Sequence, residues 1–296
     1  MKKLMNLMLS IAVLMFATTL FVACEKPLLD EDDFGSTEDY SNKNVVIHFS
    51  TYDYSSMTRA AQNVTAFCSR INVAIFNESG SKVASEAQKS SDSDYGVASF
   101  DLPEGTYTVV GIAHSCDGSA TISSPDKVTF PSNKVTDTFY YYGEIEVTAE
   151  PQDYSLQMTR AVAMFRLTLT DDPLPETLTQ FKFYYTGGSS TFNPSTGFGC
   201  VNSKQTEYRT TTADTKVYEV YSFPHTESDV LKITITALKA TGVTISERLF
   251  EDVPIKLNTV TSYTGSFFNG SSGTITSSSV GFTADNAWSA VNMYDF

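Results

Sequence analysis

The chain has 296 residues, 41% of them hydrophobic, with 34 acidic against 20 basic side chains and a formal net charge of −14. A surface this acidic repels phosphate backbones and anionic headgroups, which argues against nucleic-acid binding and against charge-driven adsorption to a membrane. The length accommodates two domains of ordinary size.

The N-terminus opens with Lys2 and Lys3, followed by a largely apolar stretch from Leu4 to Phe21 broken by Asn6, Ser10, Thr18 and Thr19. That order of charge and then apolar run is a secretory signal. A membrane-spanning helix is the competing reading, since about 18 apolar residues just cross a bilayer. The polar breaks and the lack of a basic stop-transfer flank count against it. The run ends in Leu20-Phe21-Val22-Ala23-Cys24, with a small residue before the cysteine as a lipoprotein signal peptidase needs, although Phe21 stands where leucine is usual. Residues 1–23 are therefore expected to be removed and Cys24 to carry the lipid, palmitate among its acyl chains. Without residues 1–23 the formal charge becomes −16, so attachment to a membrane falls to the lipid.

Residues 24–43 form an acidic tether containing Asp30-Glu31-Asp32-Asp33. Such a run is a solvated segment. Asp30, Asp32 and Gly35 match three positions of a calcium loop, but Phe34 and Ser41 occupy ligand positions and break the pattern.

From residue 44 onward the dominant hydrophobic period is two. Val45, Ile47 and Phe49 alternate with Val46, His48 and Ser50, and Ile71, Val73 and Ile75 alternate with Asn72, Ala74 and Phe76. Both read as strands with one core-facing side. Turns at Asn77–Gly80 and Pro103–Gly105 separate further strands, one ending near Leu102 and the next running through Tyr107 and Val109, and Thr138–Val147 follows. The pattern pauses at Ala149–Asp153 around Pro151, a candidate domain boundary. A second series opens with Ala161, Ala163, Phe165, Leu167 and Leu169 and continues through Phe181–Tyr185, Val217–Tyr221, Leu231–Ile235, Val253–Leu257 and Thr261–Phe267. No segment has a helical apolar stripe. The expected fold is all-β, with two tandem antiparallel β-sandwiches over residues 44–150 and 151–296.

The chemistry-bearing residues are sparse. His48, His114 and His225 lie on separate segments, which favours structural roles over a metal triad, and no metal or cofactor is expected beyond the covalent lipid. No GxSxG, GxxxxGK or HExxH motif occurs, and Asp171-Asp172 and Glu251-Asp252 read as turn residues rather than a glycosidase pair. After Cys24 there remain Cys68, Cys116 and Cys200. Cys68 and Cys116 fall in one expected domain and either pair as a disulfide or serve as small core residues. Tyr140-Tyr141-Tyr142 and Tyr184-Tyr185 are candidate sugar platforms, but neighbouring strand residues face opposite sides, so only part of each group can share a surface.

Four segments carry a family likeness as a set: INVAIFNESG with YGVASFDLPEGTYTVVGIAHS, MTRAVAMFRLTLTD, FKFYYTGGSSTFNPSTGFG and VPIKLNTVTSYTGSFF. With them the chain resembles the FimB-like anchor and fimbrillin subunits of type V pili, lipoproteins of two transthyretin-like domains. The acidic run after Cys24 resembles the surface-export signals of Bacteroidota-type lipoproteins. The resemblance implies a non-catalytic pilus anchor or minor subunit on the outer membrane, assembled with other fimbrial subunits by β-strand complementation. A stalk or tip fimbrillin with an adhesive role and a host or bacterial surface ligand is the alternative within the family; a surface glycan-binding lipoprotein is the alternative outside it. The resemblance also implies two site expectations. The tail beyond Gly273, with Ile275, Val280, Phe282 and Ala284, would donate a strand to another subunit, unless it closes its own sandwich. A shaft subunit would be cut between Arg59 and Ala60 by an arginine-specific protease, losing its first strand, whereas an anchor would keep both that strand and the link to Cys24.

Overall fold

The period-two patterning from residue 44 onward sets the architecture. The computed structural model describes residues 43–52, 61–269, 274–276, 282–283 and 290–295. Cys24, Arg59, Ala60, Val280 and Ala284 lie outside them. Among the described residues the regular elements are strands and two short 3-10 turns, with no α-helix.

The first half is one eight-stranded sheet. It comprises β1 (Val45–Tyr52), β2 (Ala61–Asn63), β3 (Arg70–Asn77), β4 (Lys82–Lys89), β5 (Val97–Phe100), β6 (Gly105–His114), the strands β7 (Thr121–Ser124) and β8 (Lys127–Thr129) being set apart from it, and then β9 (Phe139–Val147) and β10 (Gln152–Arg160). The strand order is β2-β1-β10-β9-β6-β3-β4, with β5 also on β1. Val45, Ile47 and Phe49 of β1 share one core with Ile71, Val73 and Ile75 of β3, Val109 of β6 and Met158 of β10. Strands distant in sheet order can meet in this way only if the sheet folds over on itself, giving a sandwich. Its closure uses a side chain. The buried Gln88 on β4 donates through Nε2 to the Val97 carbonyl at 2.6 Å and accepts the Gly96 N–H at 3.0 Å, so an amide side chain does the work of a backbone ladder.

Two expectations need correction. Strand β10 lies after the expected boundary at residue 150, yet it pairs in parallel with β1 from Val45↔Gln152 to Thr51↔Met158 and places Leu156 and Met158 in the first core. The pause around Pro151 is a turn between two strands of one sheet, and the second half starts after Arg160. Strand β3 is also buried on both faces, with Asn72, Ala74 and Phe76 covered as fully as Ile71, Val73 and Ile75.

The cover over that second face is a small sheet in which β7 and β8 join β13 (Thr191–Asn193) and β14 (Phe198–Gly199) from the second half, in the order β14-β13-β8-β7. Beneath it Phe76, Val110 and Ile112 meet Phe130, Phe192 and Phe223. This shared layer fuses the halves, which belong to one compact unit over residues 36–296. At the crossing point the buried Arg160 makes a two-pronged ion pair with Asp137, at 2.7 and 2.9 Å, and lies over the Phe139 ring.

The second half is a sandwich of two five-stranded sheets. One has the order β16-β11-β19-β22-β21, with β11 (Ala163–Leu169), β16 (Val217–Ser222), β19 (Thr259–Gly265), β21 (Phe282–Thr283) and β22 (Ala290–Asp295). The other has the order β15-β12-β17-β18-β20, with β12 (Gln180–Thr186), β15 (Lys204–Thr210), β17 (Ser228–Leu238), β18 (Thr244–Lys256) and β20 (Thr274–Thr276). Phe165, Phe181, Phe183, Phe250, Tyr263 and Phe267 fill the space between them.

Candidate functional site

The first strand and the tail carry the functional expectations, so the candidate site is where each is held. β1 is occupied on both edges. β10 runs parallel along one side, and β5 and β2 take the other, pairing Val45–His48 and Ser50–Tyr52 respectively. Val45, Ile47 and Phe49 have no exposed surface. Burial of each such side chain stabilises the fold by about 1.5–3 kcal/mol. Polar side chains fix the strand's start. Asn44 donates from Nδ2 to the Leu102 carbonyl at 2.6 Å and accepts the Leu102 N–H at 2.9 Å, reproducing a pair of strand hydrogen bonds with one amide. Near the other end Thr51 donates its hydroxyl to the Met158 carbonyl. Removing β1 would open a groove between β10 and β5 and uncover the first core. Arg59 and Ala60 follow this strand but lie outside the described residues.

The tail strands within the described residues pair with the chain's own second half. β20 extends the β18 edge in parallel, placing Ile275 opposite Phe250, and β22 extends β19 in parallel. Phe282 on β21 pairs with Asn292 of β22. Tyr294 is buried and stacks on Tyr263 with ring centroids 4.7 Å apart, so the last strand contributes to the second core. Self-closure, the alternative to donation, is the arrangement seen at these residues.

The other singled-out residues are dispersed. Cys68 and Cys116 are free thiols, not a disulfide. The reason is placement, because Cys68 belongs to the first core and Cys116 to the layer on the opposite face of the sheet. Burial raises both thiol pKa values, keeping the groups neutral. His114 is fully buried. Its Nδ1 accepts the Cys116 N–H, leaving Nε2 as the donor to Asn72 Oδ1 at 2.9 Å, and burial, with the Arg70 charge second, lowers its pKa to about 4. His48 contacts Asp153 and His225 contacts Asp229, on separate elements. No group of three metal-ligating side chains occurs among the described residues.

Asp171, expected as a solvated turn residue, is buried instead. Its carboxylate accepts hydrogen bonds from the Ser266 hydroxyl and the Phe267 N–H, both at 2.6 Å, and from the Phe268 N–H at 3.1 Å. Burial alone would raise its pKa, but these bonds outweigh burial and hold the carboxyl below its usual range. With its oxygens so engaged it is a strap on the second core, and Asp172 beside it is exposed. Nothing in the spacing of charges signals this; the partners are 95–97 residues away. The tyrosine platforms also separate. Tyr140 packs against Phe192, Tyr141 against the first core, and Tyr185 is buried, donating to Glu207 at 2.6 Å. That leaves Tyr142 and Tyr184 as single exposed rings.

Residues 37–293 match the family model of fimbrillin-A associated anchor proteins Mfa1 and Mfa2. No curated protein matches the chain. Among solved structures the chain is similar to a proposed polysaccharide-binding protein from Bacteroides thetaiotaomicron, at 13% identity over 69% of this chain and 78% of that one, with a TM-score of 0.48. It is also similar to a proposed cell adhesion protein from Bacteroides ovatus, at 12% identity over 77% and 93% of the two chains and a TM-score of 0.47. The fimbrial anchor protein Mfa2 from Porphyromonas gingivalis aligns at 12% identity over 69% and 80%, with a TM-score of 0.40. At these scores the three likenesses add nothing to the family match.

Proposed function

Because the chain belongs to the family of fimbrillin-A associated anchor proteins Mfa1 and Mfa2, we propose that it is a non-catalytic anchor that holds a pilus at the outer membrane through a lipid on Cys24. As a member of that family it is a cell-surface protein that associates with other fimbrial subunits. The observation that carries the anchoring role is the integration of β1, paired on both edges and fully buried at Val45, Ile47 and Phe49. An anchor needs an unbroken chain from lipid to body, and a first strand built into the core keeps the two joined. Cutting at Arg59 would leave the body held only by strand pairing. Subunits are joined, on this reading, by β-strand complementation, in which a neighbour's extended segment satisfies an open sheet edge.

N-terminal sequencing of protein taken from assembled pili tests the proposal, with a lipid-modified start at Cys24 expected. A start at Ala60 would overturn it in favour of a stalk or tip subunit. Cys24→Ala should release the protein from membrane fractions, and retention through a salt wash would refute the lipid anchor.

A further inference from the structure

A cavity of about 400 Å³ lies along β15, lined by every residue from Lys204 to Arg209 and faced by the turn Ser132–Lys134. Adjacent side chains of a strand point to opposite faces. A space that touches six residues in succession therefore runs along the strand's backbone edge rather than over either face. β15 is the terminal strand of its sheet among the described residues.

The hydrogen-bond pattern says which groups face this space. The Thr211 N–H donates to the Thr179 carbonyl, and the register pairs Gln180 with Thr210. Antiparallel ladders bond alternate residues, so the odd-numbered residues of β15 bond β12. The backbone groups of Lys204, Thr206 and Tyr208 point away from the sheet, with the Tyr208 carbonyl taken by Arg209 at 3.2 Å.

Three further features mark the groove as built. Gln205 is 4% exposed, yet its side-chain carbonyl is buried without a partner. A buried acceptor of this kind is destabilising unless a donor reaches it. The opposing wall holds Ser132 and Asn133 both at φ 55, a left-handed conformation that side chains resist and that collects at ligand clamps. Charge is the third. Glu207 and Arg209 neutralise each other at 2.6 Å, which leaves Lys134 and Lys204 without an ion pair among the described residues. Both lysines line the cavity, and its one carboxylate, Glu207, is already paired, so the free charge facing the groove is positive.

The geometry points to the β15 edge as a docking groove for an extended, acidic segment of a partner polypeptide, which adds as the next strand of the sheet. Its backbone meets the outward groups of Lys204, Thr206 and Tyr208, its carboxylates meet Lys134 and Lys204, and one of its donors satisfies Gln205. That the segment belongs to another fimbrial subunit rests on the proposed anchoring role; the edge and its charge preference do not.

Fluorescence anisotropy of the full chain with two labelled ten-residue peptides tests this, one alternating threonine with glutamate and the other threonine with lysine. The glutamate peptide should bind and the lysine peptide should not. Lys134→Glu with Lys204→Glu should weaken binding at least tenfold, and Thr206→Pro, which deletes an outward N–H, should abolish it. Amide exchange at Thr206 in the unsubstituted protein should slow at least tenfold on binding, a reading that needs no substitution. Absence of binding, equal affinity for both peptides, or unchanged exchange at Thr206 would overturn the inference. A protein that fails this test and still starts at lipidated Cys24 in pili would leave the anchoring role standing, and the converse result would separate the two in the other direction.

Discussion

Phe49 lies directly over Gly111, so that a Cβ placed on the glycine would come within 2.8 Å of the Phe49 ring. The same Cβ would meet Met158 Cε at 2.9 Å. The first strand and its parallel partner β10 thus depend on a bare backbone position on β6. Gly111→Ala should destabilise the protein by about 1–3 kcal/mol through overpacking, and Phe49→Ala by about 3–5 kcal/mol through the cavity left behind. Urea denaturation measures both. A Gly111→Ala protein with an unchanged midpoint would mean that β1 is loosely held, which would weaken the case for an integrated first strand.

His114 should make stability depend on pH. Its folded pKa of about 4 lies below the ordinary histidine value near 6.5, because burial and then Arg70 oppose the charged form. Between those values the unfolded chain binds more protons than the folded one, so stability falls as pH drops from 6.5 towards 4. The loss amounts to roughly 3 kcal/mol over that window. Urea midpoints at pH 7 and pH 4.5 should converge in His114→Gln relative to the unsubstituted protein. Parallel pH profiles for the two would show that the imidazole is not held neutral.

The strands most legible in sequence are those with one solvent face. Val45, Ile47 and Phe49 alternate with more polar neighbours and lie in the core as their spacing predicts. The layer β7-β8-β13-β14 was illegible because its strands span only two to four residues, too short for a period to register. Its presence explains why β3 is covered on both sides. Pro151 misled for a related reason, since a polar turn between strands of one sheet has the same composition as a linker. Gln88 and Asn44, whose amides stand in for backbone ladders, look like ordinary surface polars until the fold brings Val97 and Leu102 to them. The family-level function was legible, because four segments carried it together.

Asp171→Ala should destabilise the second half by about 2–3 kcal/mol, since it leaves the Phe267 and Phe268 N–H groups without their charged acceptor. The pH dependence runs the same way as for His114 but in a lower window. The folded carboxyl titrates below its unfolded value near 3.9, so its stabilisation is complete above that pH and is lost as pH falls through the lowered value. Thermal melts at pH 7 should show the full loss for Asp171→Ala, with the gap from the unsubstituted protein narrowing below pH 3. A gap that stays constant down to pH 2 would show that the loss comes from packing rather than from the charged carboxylate.

The tail decides between strand donation and self-closure, and Tyr294 is the residue on which it turns. Its ring is buried against Tyr263 in the second core, so truncation after Gly273 removes a core side chain along with the β20 and β22 pairings. Tyr294→Ala alone should cost about 3 kcal/mol by the cavity rule for large aromatic side chains. Truncation should lower the thermal midpoint further, because it also strips the added strands from β18 and β19. Ile275 lies on β20 and Phe282 on β21, both ahead of β22 in the chain, so donation of that stretch with Tyr294 still seated is a separate case. Substituting Ile275 and Phe282 together by serine separates that case. An unchanged melt with loss of pilus incorporation would assign this stretch to a neighbour, whereas a melt that falls with incorporation retained would assign it to the chain's own sandwich. A truncated protein with an unchanged melt would sink self-closure altogether, since the Tyr263 face would then have needed no cover.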